Sequence, residues 1–252
     1  MVEYFEHIPS THRALILAFG ISFFWILEGL IPLKNLQYQK WKHARLNFIL
    51  TASTIVINFL FAKLIILTID WCQTNSFGIL FFLPKNLILQ LVSGLLLLDL
   101  ISAYFIHWLE HQIKWMWHFH VVHHSDEYVD TTTANRHHPG ESVLRAIFTW
   151  IAVGLVGAPI WLLMLYQSVS VVLSQFNHAN IQIPQKIDKF LSWIIVSPNM
   201  HKVHHHWMQP ETDSNYGNIF SIWDRIFRTF REMDLGKLRY GIDTKWKVKS
   251  GK

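Results

Sequence analysis

Sixteen histidines occur in this chain of 252 residues, and 13 of them lie between His107 and His206. Their spacing says more than their number. His107-Trp-Leu-Glu-His111 sets two imidazoles at i and i+4, on one face of a helix. His120-Val-Val-His123-His124 and His201-Lys-Val-His204-His205 repeat one pattern, H-x-x-H-H, about 80 residues apart. In each repeat the outer rings share a helix face, while the adjacent pair can point at two different centres. His178 stands in Phe176-Asn-His-Ala-Asn180 and His138 stands before Pro139. One such run is weak evidence, since histidines often decorate a solvated surface, but a repeated motif plus an H-x-x-x-H is not explained that way. His118, His137 and His206 break the spacing and are read as supporting or surface residues. His7, His12 and His43 are read as ordinary.

Neutral imidazole is a ligand for zinc, copper, iron or nickel. A tetrahedral zinc site takes four ligands, so eight or nine imidazoles require two ions. The single cysteine, Cys72, excludes a thiolate zinc site and an intrachain disulfide framework. Two redox metals beside apolar helices point to oxygen chemistry on a lipid, with iron and copper not separated by ligand type alone.

The elements that must position these rings are apolar. Hydrophobic residues make up 51% of the chain and charged residues only 15%, against about 25% in an average soluble domain. Four stretches are apolar enough to enter a bilayer: 14–33, 46–69, 87–106 and 143–176. The first three reach the roughly 20 residues a spanning helix needs. Burial inside a large soluble protein is the bland alternative, but the polar remainder is too small to wrap three such runs. The first segment exceeds a signal-peptide core and lacks an A-x-A site after it, so it reads as a retained helix. The fourth contains Gly154, Gly157 and Pro159; it fits either a re-entrant hairpin or two tilted spans.

Loop 34–45 carries Lys34, Lys40, Lys42 and Arg45, whereas loop 70–86 carries one lysine, Lys85. The positive-inside rule places 34–45, and with it the histidines, in the cytoplasm. The net charge of +5 has 12 of its 22 Lys and Arg in the last 67 residues. No nucleic-acid motif accompanies them, so a membrane surface is the expected partner. The apolar patch from Phe190 to Val196 is expected at the interface. Asp99, two turns before His107 in an apolar run, is costly unless paired; the expected partner is a ring N–H of a metal-binding histidine. His138-Pro-Gly-Glu141 looks like the haem-binding loop of cytochrome b5 but leaves no room for a haem domain. Gly236 and Gly241 are ordinary turn residues.

The chain resembles the fatty acid hydroxylase superfamily, also called the sterol desaturase family, over roughly residues 95–230. The resemblance is carried by Asp99–Tyr104–His107–His111, Phe119-His120-x-x-His123-His124-Ser125, Thr133-Ala-Asn-Arg136-His-His138-Pro139, Phe176-Asn-His178-Ala-Asn180 and Ser197-Pro-Asn-Met-His201-Lys-Val-His204-His205, closed by Asn215-Tyr-Gly217 and Trp223-Asp-Arg225. Departures are Trp108, where the family commonly has Arg, and Arg228 before Thr229, where it often has Gly. Neither removes a ligand. The resemblance implies a non-haem di-iron, O₂-dependent membrane oxidoreductase acting on lipids. It also implies that His107, His111, His120, His123, His124, His178, His201, His204 and His205 bind the two irons, with His138 in the pocket.

The expected architecture is all-α: a multi-pass membrane stem with a cytoplasmic helical cap carrying a histidine-rich dinuclear site. The whole chain, 1–252, forms one membrane domain, with membrane helices in 1–94, the catalytic region in 95–230 and a basic tail in 231–252. The expected reaction is hydroxylation of an unactivated C–H of a membrane lipid, fatty acyl or sterol-like. Electrons come from an external electron-transfer protein or reductase, since no flavin, haem or iron–sulfur motif is visible. A desaturase or ether-lipid monooxygenase is the same-site alternative, and a histidine-rich metal carrier is the alternative from another class. A membrane zinc hydrolase is disfavoured, because no H-E-x-x-H is present.

Overall fold

The computed structural model describes residues 1–243; the remaining part of the basic tail, 244–252, lies outside the described residues. Among the described residues the fold is helical, with two isolated β-bridges and no strand. After a short α1 (Val2–Glu6) come α2 (Ser10–Leu30) and α3 (Lys40–Asn75). A third long helix runs from Leu87 to Gln112 as α4 (Leu87–Asp99), a π-helical turn (Leu100–Phe105) and α5 (Ile106–Gln112). Then come α6 (Lys114–His124), α7 (Pro139–Val156), α8 (Ile160–His178), α9 (Gln185–Leu191), α10 (Pro198–His204) and α11 (Ile222–Ile226).

Among the described residues, five helical stretches are long and apolar enough to cross a membrane: 10–30, 40–82, 87–112, 139–156 and 160–178. Only 6% of the apolar window in the second is buried, so α3 turns Ile55, Phe59 and Leu60 outward, as a lipid-facing helix does. The inner faces meet in one core, where Ile65 and Ile69 of α3, Leu98 of α4, Val153 of α7 and Leu162 of α8 pack together.

The fourth apolar stretch forms two helices, each long and apolar enough to cross a membrane. Gly157 takes the left-handed conformation (φ 70°) that closes α7, and Pro159 opens α8. The turn is tight against the end of α3: a Cβ on Gly78 would lie 2.4 Å from Gly157 Cα. With 18 and 19 residues, α7 and α8 rise about 27 and 28 Å, close to the apolar thickness of a bilayer. α7 therefore begins, and α8 ends, at the face where α5 ends. The rings of His137 and His178 lie 5.4 and 5.0 Å from that of His123.

The 31–39 segment sits at this same end, since Leu33 N donates to the Asn180 carbonyl and Gln182 N to the Ile31 carbonyl. The basic loop and the histidines thus share one side of the helix bundle. Beyond the spans, Phe190, Trp193 and Ile194 remain exposed beside Ile222, Ile226 and Phe227. Phe227 stacks on Tyr104 at 5.2 Å, which makes this apolar patch continuous with the helix carrying His107.

Candidate metal centre

The histidines gather in two groups whose ring nitrogens lie within 4.8 Å of one another in each: His107, His111, His120, His124 and His204, then His123, His178, His201 and His205. All nine are buried. Helical geometry sorts them. On α6, His120 and His124 project four residues apart to one group, and His123, about 100° away from His124 around the axis, serves the other. On α10, His204 joins the first group while His201 and the C-capping His205 join the second. The π-helical turn precedes His107 directly; such turns recur at functional sites because they rotate the residues beyond them about the helix axis.

Hydrogen bonding fixes what these rings offer. The Nδ1 of His107 lies 2.8 Å from the Tyr216 carbonyl, that of His178 2.7 Å from the Ser174 carbonyl and that of His204 2.7 Å from the Ser214 carbonyl. A carbonyl only accepts, so each Nδ1 carries the proton and each Nε2 presents a lone pair. Asp213 does the same for His111 at 3.0 Å, and Glu141 for His120 at 2.9 Å. The Nε2 atoms of His107 and His120 then face each other at 3.1 Å, as do those of His178 and His123 at 3.2 Å and of His201 and His178 at 3.1 Å. Burial, then the neighbouring histidines, hold His120, His123, His124 and His205 well below the ordinary imidazole range, so they are neutral at pH 7. Convergent, buried, unprotonated lone pairs are costly without a cation. The donor set fits two metal ions, and the opposite ring nitrogens are held as metal-binding histidines require.

Several residues that the sequence reading passed over complete the site. Arg145 joins two buried carboxylates, with Nη2 2.6 Å from Glu110 and Nε 3.0 Å from Glu141. Glu141 belongs to the His138-Pro-Gly-Glu sequence, which is the opening turn of α7. The Nδ1 of His138 caps that helix by accepting from Gly140 N at 3.0 Å, and its ring stacks on Phe119. His138 is therefore placed to shape α7, and Glu141 is the residue of that turn that reaches a candidate ligand. The buried Lys202 ammonium, pulled down to about 7 by desolvation, donates to the Ala179 carbonyl beside His178. His43 is not ordinary: it lies between Asp126 (2.8 Å) and Asp130 (3.2 Å). His118 is exposed, and His206 accepts from Arg239 N.

Asp99 has different partners from the ring nitrogen expected. It accepts from Ile219 N at 3.2 Å, Phe220 N at 3.1 Å and Trp223 Nε1 at 3.1 Å. From the other side Asp224 accepts from Tyr216 N at 2.8 Å and Gly217 N at 2.9 Å; burial raises its carboxyl to about 6. The two carboxylates hold segment 216–223, whose Tyr216 carbonyl orients His107. Asp99→Asn is therefore expected to lower the melting temperature while leaving metal content near wild type. Loss of metal at unchanged melting temperature would place Asp99 closer to the ions.

A profile of the fatty acid hydroxylase family matches residues 91–229 and so takes in all nine histidines. The chain belongs to the fatty acid hydroxylase family. Among members of that family, an ornithine lipid hydroxylase OlsE of Rhizobium tropici is 28% identical over 56% of this chain and 41% of its own length. An alkylglycerol monooxygenase of Danio rerio is 35% identical over 55% of this chain and 30% of its own length. A cholesterol 25-hydroxylase-like protein 1, member 2, also of Danio rerio, is 29% identical over 60% and 55% respectively. The chain thus spans from about a quarter to about half of the length of the curated relatives it matches. No solved structure matches it. As a fatty acid hydroxylase family chain it carries α7, α8 and all but the first four residues of the 87–112 helix inside the matched region, so three of the five apolar helices among the described residues lie wholly or mostly in the shared part.

Proposed function

We propose that this protein hydroxylates an unactivated C–H bond of a membrane lipid, using O₂ and two iron ions held by His107, His111, His120, His124 and His204 and by His123, His178, His201 and His205. The observation that carries the reading is the pair of buried histidine groups with convergent lone pairs. When bound, the iron pair supplies the O₂ activation that oxidises the C–H bond. Overall, R–H, O₂, two electrons and two protons give R–OH and water. The electrons come from an external electron-transfer protein or reductase.

The chain's own residues do the rest. Glu141 and Asp213 keep a proton on the Nδ1 of His120 and His111, so that Nε2 remains a donor to metal. Burial of all nine rings excludes water from the centre. The exposed patch of Phe190, Trp193, Ile222 and Phe227 supports lipid approach from the leaflet beside α5. The basic loop 34–45 lies at the histidine end, which supports a cytoplasmic site under the positive-inside rule. One membrane domain is supported by the shared core, with 95–230 as its catalytic region. Hydroxylation is favoured over desaturation because the relatives' names are those of hydroxylases and monooxygenases. A metal carrier would need a path of ionisable groups through the spans, whereas Glu28 and Asp99 are held by backbone N–H groups.

The test is a comparison of total lipids from a host with and without the gene, grown under ¹⁸O₂. A lipid that gains one heavy oxygen only with the gene is the expected result. A lipid that loses two hydrogens and gains no oxygen would replace hydroxylation with desaturation, and an unchanged lipid profile would remove the reading.

A further inference from the structure

α2 supplies none of the nine histidines and lies outside the family match, yet it sends one carboxylate into the cap. Glu28 is 5% exposed. Its Oε1 accepts from Thr131 N at 2.7 Å and from Asn180 N at 2.9 Å, and its Oε2 accepts from Lys40 Nζ at 2.9 Å. We propose that Glu28 is a positioning residue for the four-histidine site, acting on His178 through Asn180; the inference rests on the two-ion reading above.

Among the four, His178 is set apart. His123, His201 and His205 come from α6 and the α10 turn, whereas His178 is the last residue of α8. Its ring bridges the others, with Nε2 at 3.2 Å from His123 and 3.1 Å from His201. A terminal helical residue is held mainly by the chain just beyond it, since the last turn has few bonds of its own. Here that chain is clamped. Asn180 gives its N–H to Glu28, its carbonyl accepts from Leu33 N, and its side chain exchanges bonds with both backbone groups of Lys34. Thr131, the other partner of Oε1, contacts the carbonyl of Gln175, one turn before His178. One oxygen atom therefore holds both the exit of α8 and the turn packed against its last helical turn. Without it, two backbone N–H groups are left buried and unpaired. The five-histidine group draws its ligands from α5, α6 and α10 and has none on α8, so the effect falls on one ion.

The experiment is iron release from full-length, iron-loaded protein into a ferrous chelator. Wild type should release two ions slowly. Glu28→Gln, which keeps an acceptor of the same shape but loses its charge, should release one of the two about tenfold faster, the lower end of the effect seen when a group supporting a metal ligand is weakened. Glu28→Ala should hold about one ion per chain, and adding His178→Ala to it should remove no further metal. Lys40→Met removes the ion pair but spares both bonds to Oε1, and should release iron as wild type does. Both ions leaving faster in Glu28→Gln, or neither, would overturn the proposal even if Glu28→Ala failed to fold. A wild-type protein that binds fewer than two ions would instead remove the reading beneath it.

Discussion

His120→Ala is expected to abolish turnover, by well over 100-fold, while His118→Ala two residues away stays near wild type. The two differ in everything but sequence position. His118 is exposed on the outer face of α6. His120 is fully buried, its Nε2 faces that of His107 at 3.1 Å, and its Nδ1 is held by Glu141 at 2.9 Å. Weakening a group that merely supports a metal ligand costs 10–100-fold in metal affinity or activity, so losing the ligand itself costs more. His205→Ala should act as strongly through the second group, although neither nitrogen of His205 meets a hydrogen-bond partner among the described residues. Turnover and metal content of the three variants, measured side by side, check this. Equal behaviour of His118→Ala and His120→Ala would mean that the spacing does not sort ligands from surface.

Arg145→Met should cost about 3 kcal/mol of stability. Its guanidinium is the cation between Glu110 and Glu141, both fully buried, at 2.6 and 3.0 Å. Breaking a buried pair costs about 3–5 kcal/mol, because it strands charge rather than merely losing an attraction. The Arg145 side chain is 24% exposed, which places the effect at the low end. The loss should be partly recovered in Arg145→Met with Glu110→Gln, which removes one stranded charge and leaves Glu141 for His120. Denaturant unfolding of the single and double variants decides. A double variant less stable than the single would show that the carboxylates are not stranded.

The membrane helices are legible in the sequence because 20-residue apolar runs in a bilayer admit little else. The ends of α7 and α8 are not, since Gly157 with Pro159 is compatible with a hairpin or with two spans. What the structure adds is the length each helix gains beyond its apolar run, back to Pro139 and on to His178, which brings each to a spanning length. The histidines are legible because spacing of three and four residues is local. Their supports are not local. The partners of Asp99 lie 120 to 124 residues further on, and Glu28 meets Asn180 across 152 residues. No periodicity encodes such pairs, so sequence alone pairs Asp99 with a metal-binding histidine and leaves His43 unmarked. Glu141 is hidden differently. It stands in the opening turn of α7, where an acid is expected on electrostatic grounds alone, and its bond to His120 depends on how α6 and α7 cross. Glu110 is visible between His107 and His111, but nothing in the sequence ties it to Arg145.

The metal count of purified, folded protein is the most direct test of the proposed dinuclear centre. Nine buried imidazoles in groups of five and four should bind close to two ions per chain, iron in the active form. Zinc can take the same places on overexpression, since it lies above iron(II) in the affinity order. Two ions per chain, falling towards one in His120→Ala and in His205→Ala, is the expected result. A single ion per chain with all nine histidines intact would contradict it.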